Sequence, residues 1–240
     1  MHLSEAQLQR DGFCHLPGAL SPQAVALLLA QRGAMQAYMQ RKQAQTETLW
    51  FLHREIPALQ EIFTHPTLLA RLARHVGRSS SQIQLLGTTL YCKTPGCNGT
   101  AWHQDGRFIP SDSLQAFTLW VPLHAIDGDS APLVFFPGSQ RYCLIEQPLA
   151  SDRWPEGVAP HTPAVVAAPL ALGDATLHQL WTLHGSLAMA AASERQALIV
   201  NYLTAPLVLN PTARAGGGAM APLINQVRQW NLDTLQRNAD

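Results

Sequence analysis

Apolar positions change their rhythm once along this chain, near Gly77. Before that point they recur at three- and four-residue intervals, the spacing that gives a helix one apolar face. Ser4 stands as an N-cap before "EAQLQRDG", Gly12 stops that helix, and "FCHLPG" reads as a short strand. Ser21 followed by Pro22 opens "PQAVALLLAQRGAMQAYMQ", with proline at the first helical position, where its missing N–H is not needed. "PALQEIFTHPTLLARLARHVG" gives two more helical turns or a broken helix, ending at Gly77. Beyond Gly77 alternation takes over. "SQIQLLGTTLYCK" places Ile83, Leu85, Gly87, Thr89 and Tyr91 on one face of a strand. "AFTLWVPLHAI", "APLVFFPG", "PAVVAAPL", "DATLHQLWTL" and "RQALIVNYLTA" repeat the strand pattern, punctuated by "DGDSAP", "PGSQ" and "ALGD".

Strands in succession with few helices between them predict a mainly β, antiparallel fold. The expected architecture is a double-stranded β-helix, the cupin-like jelly roll, with flanking helices packed outside. The expected division is a helical part at about 1–77, a jelly-roll core at about 82–204 and a C-terminal helix at about 222–236. Neither a repeat nor a composition break calls for a second domain, so 1–240 is expected to be one.

Composition narrows the function classes. The chain is 47% hydrophobic and 13% charged, which favours a packed core over disorder. Lys+Arg and Asp+Glu both number 16, so net charge offers no basis for a nucleic-acid or anionic-membrane partner. No apolar run reaches membrane-spanning length, and the N-terminus has no signal-peptide hydrophobic region. With 4 cysteines and no C-x-x-C pair, reduced thiols and a cytoplasmic location are expected. Lys42 and Lys93 are the lysines; arginine, whose planar fork suits carboxylates, is the commoner cation.

Candidate chemistry begins at "WHQDGRF". In an extended segment His103 and Asp105 project to the same side. An imidazole and a carboxylate are two ligands of the facial triad used by non-haem iron(II). The third candidate is His184 in "WTLHGSLA", at the end of a predicted strand. Alone, H-x-D is more often structural polarity, and 10 histidines make chance pairings easy. His124 and His178 sit inside apolar strand runs and read as satisfied core histidines. Arg195 opens the strand after His184, and a short return would bring it alongside His184 in the neighbouring strand. There its guanidinium could grip the far carboxylate of a dicarboxylate, with the Ser186 hydroxyl beside it.

From "LQRDGFCHLPGALS" through "WHQD", "LWVPLHAIDGDSAPLVFFPGSQR", "GDATLHQLWTLHGS" and Arg195, the chain resembles the phytanoyl-CoA dioxygenase family of iron(II)/2-oxoglutarate oxygenases. The resemblance implies that His103, Asp105 and His184 bind iron(II). It further implies that Arg195 and Ser186 hold the distal carboxylate of 2-oxoglutarate, and that Trp120 and Thr89 face the cosubstrate. The implied reaction uses O2 and decarboxylation of 2-oxoglutarate to hydroxylate a C–H bond of a small molecule, with desaturation or cyclisation as alternatives. Asp105 argues against halogenation, since halogenases of this family carry a small residue there. "QDGRF" and "LAMAAASE" depart from the family pattern, and His53 or Arg54 could stand for a lysine that approaches the cosubstrate in the named enzyme. Trp102, Arg107 and Phe108 are candidate substrate contacts, whereas Trp181 reads as core. Two other classes compete: a non-catalytic small-molecule-binding jelly roll, and a zinc hydrolase that would not need Arg195. The sequence does not specify oligomeric state.

Overall fold

Local signals account for most of the N-terminal helices in the computed structural model, which describes residues 3–42, 51–108, 115–142 and 164–205. Helix α1 (Leu3–Asp11) begins at Leu3, so Ser4 falls inside its first turn instead of capping it. Strand β1 (Phe13–Leu16) follows. Ser21 caps α2 (Pro22–Ala30), its Oγ accepting the Ala24 N–H at 3.2 Å. The long helix expected from Pro22 is divided at Gln31, and α3 (Arg32–Lys42) starts afresh. Gln31 turns its N–H to the Leu28 carbonyl in a tighter bond, and Gly33, a weak helix former, lies just beyond. Helices α4 (Leu52–Glu55), α5 (Pro57–Phe63) and α6 (Pro66–Val76) complete the layer, α6 ending on Gly77 at φ +64°.

The remaining strands are β2 (Gln84–Lys93), β3 (Thr100–His103), β4 (Ala116–Pro122), β5 (Leu133–Phe135), β6 (Val165–Val166), β7 (Ala175–Gln179), β8 (His184–Ser186) and β9 (Arg195–Leu203). They form a five-stranded sheet in the order β1, β7, β4, β9, β2 and a four-stranded sheet in the order β3, β8, β5, β6. Every pairing between these strands is antiparallel, and the expected jelly roll is the fold observed.

Alternation decides what each face of the large sheet meets. Leu119, Val121, Leu177, Leu198 and Val200 point outwards and pack with Leu28, Leu59, Phe63 and Leu72 of the helices. Tyr202 joins them, its hydroxyl donating to the Phe63 carbonyl at 2.9 Å. The alternate positions Phe13, Trp120 and Ala197 turn inwards and meet Leu133 and Phe135 of the small sheet. The molecule is therefore layered: helices, large sheet, small sheet.

Two expectations need correcting. The pairing of β2 with β9 shifts between Leu85 and Gly87, and this bulge reverses the alternation. Ile83 and Leu85 face the helices, as does Leu90, so they do not share a face with Thr89 and Tyr91. The run "DATLHQLWTL" is likewise not one strand. It leaves the large sheet after Gln179, turns at Leu180 and Trp181, and enters the small sheet at His184. The turn is closed by the Thr182 N–H donating to the Gln179 carbonyl at 2.9 Å. The helix expected at about 222–236 lies outside the described residues. Among the described residues no helix is long and apolar enough to cross a membrane.

Candidate metal centre

The small sheet brings the two ligand histidines together by register. His103, the last residue of β3, is paired with His184, the first of β8. Their rings lie 4.2 Å apart between centroids. Each imidazole is oriented by the same device: Nδ1 meets the carbonyl two residues earlier, Ala101 at 2.8 Å for His103 and Thr182 at 3.0 Å for His184. A carbonyl only accepts, so Nδ1 carries the proton and Nε2 presents a lone pair. Asp105 follows in the 3-10 turn Asp105–Phe108. Its Oδ1 lies 3.7 Å from His103 Nε2 and 3.6 Å from His184 Nε2. The ligand atoms of the three residues all fall within 4.8 Å of one another, close enough for one ion to touch them all. Two neutral imidazoles and one carboxylate suit iron(II), whose remaining positions stay open.

Glycine makes two of these approaches possible. A Cβ on Gly185 would sit 2.6 Å from the Thr100 carbonyl, so β3 and β8 close up only with glycine in "HGS". A Cβ on Gly106 would sit 2.6 Å from the Trp181 ring, which covers the residue next to Asp105. The Gly106 N–H also donates to the Leu180 carbonyl at 3.0 Å, and Gln104 Nε2 donates to the Trp181 carbonyl at 2.7 Å. The departure at Gly106 is thus a packing requirement of the sheet-crossing turn. Trp181 is a packing residue, as expected.

The large sheet supplies the surroundings of Asp105. Thr118 on β4 donates to its Oδ2 at 2.6 Å, and Asn201 on β9 donates to that threonine at 2.9 Å. His178 on β7 places Nε2 3.1 Å from the same Oδ2. Burial alone would push the Asp105 carboxyl up. The neighbouring His184, the hydrogen bond and charge of His178, and His103 outweigh it and hold Asp105 well below the usual carboxylate range. Burial, reinforced by His103 and His178, pushes His184 well below the usual histidine range.

A cavity of about 110 Å³ opens beside these groups. Tyr91, Thr118, Trp120, His178, Arg195 and Ile199 border it from the large sheet, and Thr100, His103, Leu133, His184 and Gly185 from the small one. Arg195 is 1% exposed. Of its five N–H donors, one reaches the Ala131 carbonyl at 3.1 Å, and the buried Nε has no partner. The guanidinium lies between the rings of Trp120 and Tyr91, 5.2 and 5.7 Å from their centroids. Burial lowers its pKa from 12.5 to about 10. It is a buried cation facing a cavity with no ion-pair partner among the described residues.

The sequence-predicted residues sort themselves accordingly. His103, Asp105, His184, Arg195 and Trp120 converge on the cavity. Arg195 gets there by another route than expected. It sits in the large sheet paired with Lys93, across the sandwich from His184 and not in a neighbouring strand, because the chain changes sheets between Ser186 and Arg195. Lys93 itself is buried and donates to the Asn98 carbonyl at 2.6 Å. Ser186 exchanges hydrogen bonds with Thr100, donating to Oγ1 and accepting from the backbone N–H, both at 3.0 Å. Neither Ser186 nor Thr89 borders the cavity; Thr100 and Tyr91 stand there instead. Trp102 alternates away from His103 and packs on Phe136 and Leu183. His53 binds Thr88 on the helical side of the large sheet, and Arg54 lies over Phe51. The side chains of Arg107 and Phe108 lie outside the described residues. His124 is a satisfied structural histidine, bonded to the Ala125 carbonyl and the Gln196 N–H. His178, expected to be a core histidine, is buried but also borders the cavity and bonds to Asp105. The available signal was its phase: Thr118, Thr176, His178, Arg195 and Asn201 all occupy the inward set of strands whose outward set is apolar.

Residues 8–197 match the phytanoyl-CoA dioxygenase (PhyH) family. The chain belongs to that family. A curated relative, the probable alpha-ketoglutarate-dependent hypophosphite dioxygenase of Stutzerimonas stutzeri, is 23% identical over 64% of this chain. The chain spans about 55% of that relative's length. Among solved structures, the non-haem alpha ketoglutarate-dependent epimerase SnoN from nogalamycin biosynthesis aligns with TM-score 0.68 and 25% identity, covering 90% of this chain and 87% of that one. EctD from S. alaskensis, solved with 2-oxoglutarate and 5-hydroxyectoine, aligns with TM-score 0.70 and 19% identity over 93% and 86% of the two chains, and supports the fold. The family and fold expectations are borne out. The curated relative carries the name of the expected enzyme class, an alpha-ketoglutarate-dependent dioxygenase, whereas SnoN is an alpha ketoglutarate-dependent epimerase.

Proposed function

We propose that this chain is an iron(II)- and 2-oxoglutarate-dependent dioxygenase that uses O2 to hydroxylate a C–H bond of a small molecule. His103, Asp105 and His184 hold the metal, and Arg195 binds the distal carboxylate of 2-oxoglutarate. One observation carries this reading. A buried arginine with no counter-ion among the described residues shares a cavity with a His–Asp–His set. Asp105 and Arg195 cancel, so a divalent ion leaves the cavity with two surplus positive charges, matching a dicarboxylate. A structural metal site would not need the arginine, nor would a zinc hydrolase.

When bound, iron and 2-oxoglutarate together supply the oxidising power. The protein's residues position and shield. The rings of Trp120 and Tyr91 lie close to the guanidinium, and Thr100, tied down by Ser186, offers a hydroxyl at the cavity wall. Leu133 and Ile199 line the cavity with apolar side chains, which would exclude water from it. Trp102 contributes through packing, and Arg107 and Phe108, next to the ligand turn, are the proposed substrate contacts. The enzyme is proposed to act in the cytoplasm.

A second outcome rests on the same site. The neighbouring folds include proteins named as an epimerase and as the carbocyclase SnoK, so hydrogen abstraction can end in ring closure or inversion. Asp105 fills the place a halide would need. The test is succinate formation and O2 uptake with iron(II), 2-oxoglutarate and a metabolite panel. Asp105→Ala is expected to abolish both metal uptake and turnover. Protein that bound neither iron(II) nor 2-oxoglutarate in calorimetry would overturn the proposal in favour of a non-catalytic binding module.

A further inference from the structure

We propose that His178 is a positioning residue that, with Thr118, confines Asp105 to one ligating oxygen and so keeps a coordination position open. This rests on the iron-site reading above. Oδ2 of Asp105 receives two donors, the Thr118 hydroxyl at 2.6 Å and His178 Nε2 at 3.1 Å. Thr118 has one proton, and because its oxygen already accepts from Asn201 that proton is directed at Oδ2. The carboxylate only accepts, so the His178 tautomer is fixed with its proton on Nε2. Oδ1 faces the other way, towards Nε2 of His103 and His184. The two oxygens of one carboxylate are thereby given different tasks.

The imidazole is not there as filler. His178 is 1% exposed and its Nδ1 has no hydrogen-bond partner among the described residues, an arrangement that an apolar ring would avoid. Its ring is wedged 5.2 Å from that of Phe135 and 4.4 Å from that of His184, so the orientation towards Asp105 is set by packing. The unpaired nitrogen is tolerated because the opposite nitrogen bonds to an ionised group, and such bonds are the strong ones. A carboxylate released from these donors can rotate to chelate a metal through both oxygens. It would then occupy a position that the cosubstrate or O2 requires.

His178→Phe keeps an aromatic ring and removes the donor; His178→Gln returns an N–H near the Nε2 position. The readouts are Mn(II) and 2-oxoglutarate affinities by calorimetry under nitrogen, and the visible charge-transfer absorption that a keto-acid chelate gives iron(II). In His178→Phe, 2-oxoglutarate binding to the metal-loaded protein is expected to weaken about tenfold or more with loss of the absorption, the size expected when a ligand's hydrogen-bond partner is removed. Mn(II) affinity should change less, and His178→Gln should recover most of the loss. Thr118→Val removes the other donor and should move the same readouts the same way, which covers the case of a poorly folding His178→Phe. Wild-type protein that bound neither ligand would overturn the enzymatic reading itself. Wild type that binds both, with the variants unchanged in 2-oxoglutarate affinity, would overturn only the role of His178. Equal losses in Phe and Gln variants would overturn it too, by making His178 a packing residue.

Discussion

Replacing Arg195 by methionine should make the ligand-free protein more stable and the liganded protein less so. The side chain is 1% exposed and, among the described residues, keeps one protein hydrogen bond and has no carboxylate partner. Burial lowers its pKa from 12.5 to about 10, which corresponds to about 3 kcal/mol paid to keep the charge at neutral pH. Methionine removes that cost and fills much of the same volume. It forfeits the bond to Ala131, about 1 kcal/mol, and the stacking between Trp120 and Tyr91, about another 1 kcal/mol. The net expectation is a gain of about 1 kcal/mol, or roughly 2–4 °C in Tm for a chain of this size. Saturating 2-oxoglutarate with Mn(II) should reverse the order. At a hundred times its Kd a ligand stabilises the wild type by about 2.7 kcal/mol, and Arg195→Met should gain almost none of this. Thermal unfolding of both proteins under nitrogen, with and without the ligand pair, gives the four Tm values needed. A methionine variant clearly less stable than wild type without ligand would refute the unpaired-cation argument. Equal stabilisation of both proteins by 2-oxoglutarate would refute the binding role.

Gly106→Ala should destabilise the fold by about 1–3 kcal/mol, because the new methyl meets the Trp181 ring, and should also weaken Mn(II) binding by shifting Asp105; urea unfolding and calorimetry check the two effects. His53 is lowered by burial, and by the neighbouring Arg54, to about 4 from 6.5. The unfolded chain therefore takes up this proton first, so stability is full above pH 6.5 and falls by up to about 3 kcal/mol as pH drops towards 4. His53→Asn should flatten that slope in urea titrations run at several pH values. Tyr202→Phe should cost about 1 kcal/mol in the same assay, since it leaves the buried Phe63 carbonyl without its donor.

The legible parts of this chain are those encoded by local repetition. Strands β2, β4, β7 and β9 show up because the large sheet is sandwiched between helices and the small sheet, so alternation runs for five or more residues. The candidate metal site is legible because H-x-D and "HGS" are compact and sit at strand ends. What escaped depends on events with no local signature. The bulge near Leu86 swaps the faces of β2 within one residue, and only Gly87 hints at it. The crossing at Leu180 and Trp181 hides inside an apolar run, because both sheets want apolar residues there. That crossing, with the return between Ser186 and Arg195, places Arg195 opposite His184 instead of beside it. His178 reads as core in the sequence because nothing local shows that Asp105 will lie beside it.

Both ligand histidines take their orientation from main-chain carbonyls two residues upstream, those of Ala101 and Thr182. Main-chain groups do not change when a gene drifts. The aim of the two imidazoles therefore does not depend on which side chains occupy positions 101 and 182, nor on the residues lining the rest of the cavity. Selection can rework Leu133 or Ile199 to admit a new substrate while the pair of imidazoles stays in place. For protein engineering, this marks those wall positions as the ones to randomise first.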